Sequence, residues 1–283
     1  MRIDLVVPNH ASFGPDAIAA APELEDMGYN GLWFTDHVVG YEFFKPVYGS
    51  YWLEALTAMT QAAALTKRIR IGAGVLVLPY RDPVYAAKVL ATIDVLSGGR
   101  VDLGVGTGWC RAEFHGLGRQ DFFDRRGACT DEALDVMRLC WSCDPDEEIA
   151  FDGEFSSFRG VRFNPVPVQG SQVPIWVGSR GIAARPLKRA ASYADVWHPT
   201  GLTPDEIEEG SAKLDGLAGR HIPVSARMRR AGRGTAELAE AVDAHRDAGC
   251  VQIAMDLQCD TLAGFMGSAE EFLDSVAYLQ NPG

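Results

Sequence analysis

The chain has no apolar stretch long enough to span a bilayer. Its opening, MRIDLVVPNH, does not read as a signal peptide. The apolar run Ile3–Val7 is short, is interrupted by Asp4 and ends at Pro8. Cysteine is sparse, six scattered through 283 residues, so no disulfide framework is indicated and a cytoplasmic protein with reduced thiols is expected. Cys140 and Cys143 form a lone CxxC pair. A zinc site needs four ligands and a redox pair normally opens a helix; this pair flanks Trp141 at the end of a helical pattern. No HxH and no HExxH occurs, so no catalytic metal is expected. Basic residues are also short: 26 Lys+Arg face 38 Asp+Glu, a formal net charge of -12. Such a surface repels phosphate backbones and anionic lipid, which argues against nucleic-acid and membrane partners but leaves room for one anionic ligand in a basic pocket.

What is present is an ordinary globular balance, 47% hydrophobic and 23% charged. Short apolar runs alternate with longer helical patterns. The predicted strands are Ile3–Val7, Gly31–Phe34, Arg70–Leu78, Val101–Val105, Pro174–Val177, Asp195–His198, Pro223–Met228 and Val251–Leu257. Predicted helices follow each: Asp16–Met27, about Trp52–Leu65, one from Pro83 to Gly98-Gly99, and one with Cys129, Ala133, Val136, Met137 and Cys140 on a stripe. Later come Ile182–Ala191, one from Pro204 capped by Thr203, Thr235–Ala248 and Ser268–Leu279. Residues 142–173 break the rhythm, with Asp152-Gly153 signalling a hairpin between Ile149–Phe151 and Glu154–Phe155. Eight strand–helix units predict an α/β fold, a (β/α)8 TIM barrel forming one domain over 1–283, with that excursion between helix 4 and strand 5. A doubly wound sheet has fewer strands and needs a Gly-rich first turn, which Pro8-Asn9-His10 is not.

In such a barrel the chemistry sits at the C-terminal strand ends. The candidates there are Asn9, His10, Asp36, His37, Leu78 to Arg81, Gly106 to Trp109, Gly178 to Arg180, His198, Arg229, Arg230 and Gln258, with His115 further along its loop. Each rim histidine has two readings, a hydrogen-bonded structural residue or a functional one. Gly104-Val105-Gly106-Thr107-Gly108 satisfies neither GxGxxG nor the P-loop; it reads as a close approach of backbone to a flat ring, or as a tight turn. Gly178-Ser179-Arg180 ends a strand and opens a helix, combining amide donors, a hydroxyl and a guanidinium into an anion site, or a plain Ser179 N-cap.

Six segments carry a family resemblance: Phe34-Thr35-Asp36-His37, Ile71 through Pro79, Leu90 through Arg100, Gly104 through Trp109, Pro174 through Gly178 and Asp195 through Pro199. In this order they resemble the bacterial luciferase-like monooxygenase superfamily, most closely its deazaflavin (F420)-dependent oxidoreductase branch. The last third matches mainly in its rhythm. The resemblance implies a flavin-shaped ring in the barrel mouth and a non-prolyl cis peptide at Gly74-Val75. It implies Asp36 and His37 at the ring edge, Gly106 and Thr107 along the pyrimidine side, and Gly178 and Ser179 holding the phosphate of the cofactor tail, next to the Arg180 of the anion site read above.

One departure stands out. Sugar-phosphate dehydrogenases of this branch have a glutamate after the Gly-Thr-Gly; here Trp109 stands there, with Arg111 and Glu113 further on. That counts against sugar-phosphate oxidation and suits an apolar or aromatic small-molecule substrate, with Trp109 as a wall of the site or as packing under the loop. The implied function is hydride transfer between the deazaflavin C5 and such a substrate. His37 is the expected proton donor and His198 the second candidate. Alternatives are an FMN-dependent monooxygenase on the same fold, or a flavin- or deazaflavin-binding protein without turnover. Arg180, Arg185 and Lys188 could meet the longer anionic tail of the deazaflavin, or be an ordinary solvated helix face. Analogy suggests a homodimer.

Overall fold

A computed structural model describes residues 1–42 and 51–280. Eight parallel strands close a barrel in the order β1, β10, β9, β8, β7, β4, β3, β2. They are β1 (Arg2–Val6), β2 (Gly31–Phe34), β3 (Arg70–Val77), β4 (Val101–Gly106), β7 (Ile175–Ser179), β8 (Val196–Pro199), β9 (Val224–Arg229) and β10 (Cys250–Asp256). The expected TIM barrel is thus the fold of the chain. Its strands are buried on both faces, which is why they read as near-continuous apolar runs.

Helices pack outside. They are α1 (Gly14–Ala19), α2 (Ala21–Met27), α3 (Ala55–Leu65), α4 (Pro83–Ser97), α5 (Arg111–Gly116), α6 (Arg126–Ser142), α7 (Ala184–Tyr193), α8 (Pro204–Ala218), α9 (Thr235–Asp247) and α10 (Leu262–Val276). The single first helix expected over Asp16–Met27 is two, with Pro22 in the first turn of the second. The last helix begins at Leu262 rather than Ser268, because Thr261 caps it through Gly264 N at 3.1 Å; Gly264 and Gly267 had masked that turn. The excursion holds a separate antiparallel pair, β5 (Ile149–Asp152) and β6 (Ser157–Val161). Glu154 and Phe155 are not its second strand. Their amides donate to the Glu132 carboxylate at 2.6 and 2.8 Å, which takes them out of pairing. Cys140 is fully buried in the core, and burial pushes its thiol up to about 12.

Large rings plug the barrel beneath its mouth. Trp33 lies against Gly72 and Gly104, where a Cβ would stand 2.7 and 3.2 Å from the indole. Trp176 meets it edge-on at 5.0 Å and His198 stacks on it at 5.1 Å. Below them Asp4 accepts from Trp33 Nε1, Gln252 Nε2 and Arg2 Nη2, each at 2.7 Å. Among the described residues the barrel interior is therefore filled by side chains beneath the C-terminal rim.

Candidate functional site

That rim holds a cavity of about 500 Å³, the size of a small-cofactor site. Its floor is built by an irregularity in β3. Pairing with β4 shifts register between Ala73 and Leu76, and the Gly74-Val75 peptide is cis and non-prolyl, as the resemblance implied. Val75 is the residue of the strand's inner part left half-buried, facing the cavity. A Cβ on Gly106 would stand 2.5 Å from Val75 Cγ2 and one on Gly178 2.7 Å from Val75 Cγ1. These two glycines thus make room for Val75, whose apolar side chain faces the cavity. Arg227, on β9, donates to the Gly74 carbonyl at 2.5 Å and pairs with Asp256 at 3.3 Å.

On one side stand Asp36 and His37, carried by the end of β2. Asp36 lines the cavity, but its carboxylate is committed. Arg81 grips both oxygens at 2.6 and 2.7 Å, and Val77 N donates at 2.8 Å. Burial opposes the Arg81 charge, yet Asp36 and Glu54 hold that guanidinium above its ordinary value. His37 Nδ1 lies 2.8 Å from Glu113 Oε2, which also accepts from Tyr80 OH at 3.2 Å; Val38 N donates to Oε1 at 3.3 Å. Burial and the adjacent Glu113 charge push the Tyr80 phenol well up, so it stays a hydrogen-bond donor. Glu113 corrects the sequence reading. Trp109 holds the position where a glutamate was sought, but a carboxylate reaches the cavity from the first turn of α5.

Trp109 is a wall of the site and not packing under the loop: it is 47% exposed, lines the cavity and meets His37 edge-on at 6.3 Å. Thr107 lines the same side. Opposite, Ser179 Oγ accepts from Trp197 Nε1 at 2.9 Å, and the Arg180 guanidinium lies 5.6 Å over the Trp109 ring. Ser179 is not a helix cap. α7 starts at Ala184, so the amide donors of that helix end lie beyond Arg180, with Pro186 and Arg189 lining the cavity.

His198 is the clearest correction. It is 1% exposed, its Nδ1 meets Ser225 Oγ at 2.6 Å, and it does not line the cavity. β8 runs on to Pro199, so His198 pairs in register with Gly178 and points into the plugged layer; Thr200 reaches the rim instead. Burial, with Arg227 nearby, pushes its imidazole down to about 3. The unfolded chain binds that proton near pH 6.5 while the folded chain does not. Stability is therefore expected to fall as pH drops from about 6.5 toward 3, by up to about 1.4 kcal/mol per pH unit from this group. Unfolding at pH 7 and pH 5 should show that slope reduced in His198→Gln; an unchanged slope would contradict the placement.

Of the other rim candidates, His10, Arg229 and Gln258 line the cavity. Asn9 is structural, bonded to the Thr35 and Leu53 carbonyls at 2.8 and 3.0 Å. Arg230 turns to Ser268 at 2.8 Å, and His115 is exposed outside the cavity. Tyr80, from the Leu78 to Arg81 stretch named above, lines it too, and Arg227, Asp256, Trp52 and Arg126 line it without having been singled out. Arg227 and Arg229 alternate at the end of β9, a period-two signal that places both on the barrel side.

The family model described as luciferase-like monooxygenase matches residues 6–278. An uncharacterized protein of Mycobacterium tuberculosis is 37% identical over 150 residues, 52% of this chain and 50% of its own length. An F420-dependent glucose-6-phosphate dehydrogenase of Amycolatopsis mediterranei is 31% identical over 172 residues, 60% of this chain and 49% of its own length. These matches span about half the length of the curated relatives. Among solved structures, an F420-dependent secondary alcohol dehydrogenase in complex with an F420-acetone adduct superposes with a TM-score of 0.79 at 17% identity, covering 97% of this chain and 98% of that one. The oxygenating constituent of 3,6-diketocamphane monooxygenase of Pseudomonas putida, in complex with FMN, gives 0.80 at 14%, covering 98% of each. Among the described residues no helix is long and apolar enough to cross a membrane.

Proposed function

The chain belongs to the luciferase-like monooxygenase family, and on that premise we propose that it is an F420-dependent oxidoreductase acting on a small apolar or aromatic substrate. The observation that carries this reading is the His37–Glu113–Tyr80 cluster opening into a rim cavity with Val75 and glycines at its floor. The residues present fit a planar ring. Val75 would support the ring, with Gly106 and Gly178 leaving room beside it; Thr107 and the Asp36–His37 end of β2 would flank it, and Ser179 and Arg180 would hold the phosphate. A bound deazaflavin supplies or takes up hydride at C5.

The chain's own residues handle the proton. Glu113 accepts from His37 Nδ1, which fixes the imidazole ring and leaves Nε2 as the atom that exchanges a proton with substrate. Tyr80, donating to the same carboxylate, holds Glu113 in place. Trp109 gives the substrate an aromatic wall and excludes water from the His37 side. The relative named as F420-dependent supports the cofactor choice, as does Arg180, which has no carboxylate partner among the described residues.

Titration of the purified protein with reduced deazaflavin and with reduced FMN, offering enones and nitro compounds as acceptors, tests the reading. Deazaflavin should bind and be oxidised only when an acceptor is added. Oxygen consumption with FMN would replace it by the monooxygenase reading. Binding without oxidation of either would leave a carrier.

A further inference from the structure

A second cavity, about 710 Å³, adjoins the first and shares Arg180, Thr200, Arg227 and Arg229 with it. It is a cleft between the ends of β8 and β9 and the helices that follow them. Thr203 and Pro204 at the start of α8 line it, as do Ala241 and Ala244 of α9, and Arg233 stands in the loop after β9. The described residues lining the cleft thus include four arginines and no carboxylate, in a chain whose net charge is -12. Arg227 and Arg229 are steadied by Asp256, which lines only the first cavity, at 3.3 and 3.6 Å. Arg180 and Arg233 have no carboxylate partner among the described residues.

Gathering guanidiniums at one cleft raises their mutual repulsion, and a concave wall of one sign focuses its field outward. An entering anion relieves both. The wall is also pre-built. His245 on α9 contacts the Leu202 carbonyl at 3.1 Å and the Ala241 carbonyl at 2.7 Å, tying the loop after β8 to that helix. Gln258 Oε1 accepts from Ala231 N at 3.0 Å, which pins the Arg233 loop against the end of β10. Little ordering cost is left for a ligand to meet.

Resting on the reading that the first cavity holds the ring, we propose that this cleft binds a carboxylate or phosphate group carried by a ligand lodged in that cavity. The group comes either from the cofactor's anionic tail or from the far end of a substrate whose reacting part is apolar or aromatic. Arg180 and Thr200 stand where the two cavities meet, and Arg233 lines the second alone, so one extended molecule can bridge them.

The test compares the unaltered protein with Arg233→Glu. The Arg233 side chain is half-buried and its backbone carbonyl accepts from Arg230 Nε, so the charge reversal spares the fold. Lys213→Glu, at an exposed lysine of α8, controls for a general change of charge. Cofactor-free proteins are titrated with inorganic pyrophosphate by calorimetry, then with tailed deazaflavin and with deazariboflavin lacking phosphate and tail by fluorescence. Arg233→Glu is expected to weaken pyrophosphate at least about tenfold, the loss of one charge-assisted contact. If tailed deazaflavin weakens equally while the tailless ring stays within about twofold, the group is the cofactor's tail. If both deazaflavins are unmoved, it belongs to the substrate. Pyrophosphate that fails to bind, or binds all three proteins alike, overturns the proposal. A tailless ring that fails to bind the unaltered protein strikes the ring reading instead, and pyrophosphate still decides the cleft.

Discussion

His37→Ala is expected to leave cofactor binding nearly intact and to lower turnover about a hundredfold or more, the usual contribution of a positioned general acid or base. The imidazole contributes through its place at the cavity edge, 2.8 Å from the Glu113 carboxylate. Glu113→Gln keeps the side-chain shape but turns a charge-assisted partner into a neutral one, and should lower turnover by at least about tenfold with cofactor affinity unmoved. The two residues act as a unit, so the double variant should be no slower than His37→Ala alone. Steady-state rates and a binding titration on the same preparations check all three. Additive losses would show that Glu113 acts apart from His37.

Asp36→Asn is expected to cost stability, on the order of 3–5 kcal/mol, because it leaves the buried Arg81 guanidinium short of its main partner. Arg81 is 12% exposed and Asp36 is 0% exposed at the side chain, and the same carboxylate accepts from Val77 N. Glu54, 2.9 Å from Arg81 and 40% exposed, compensates only in part. Denaturant unfolding of the variant gives the number. A loss below about 1 kcal/mol would mean the pair is a screened surface contact and not the brace of the β2–β3 rim.

These two expectations rest on neighbouring residues that the sequence made legible to different degrees. Asp36 and His37 could be found because β2 is a short, fully buried run whose end is unmistakable. The barrel followed from eight alternations of apolar run and helical pattern, and the Val75 floor from the family resemblance. His198 was misplaced by a single residue of strand length. Each strand residue advances about 3.3 Å and switches face, so ending β8 at His198 instead of Pro199 moved the histidine from the plugged interior to the rim. Glu113 was passed over because adjacency was sought along the chain, whereas the turn after Gly108 folds α5 back over the cavity and delivers the carboxylate from the helix. The arginine-lined cleft was invisible for a related reason. Arg180 follows β7, whereas Arg227, Arg229 and Arg233 lie at and just after the end of β9, and only the closed barrel brings the two groups together.

The account as a whole stands on a flat ring seated on Val75, and a crystal of the protein soaked with oxidised deazaflavin tests this most directly. Electron density for the ring over Val75, with its edge toward His37 and its phosphate toward Ser179 and Arg180, is the predicted result. A ring bound elsewhere on the molecule, or a rim closed over by Trp109 and Trp52 with no ring between them, would contradict it.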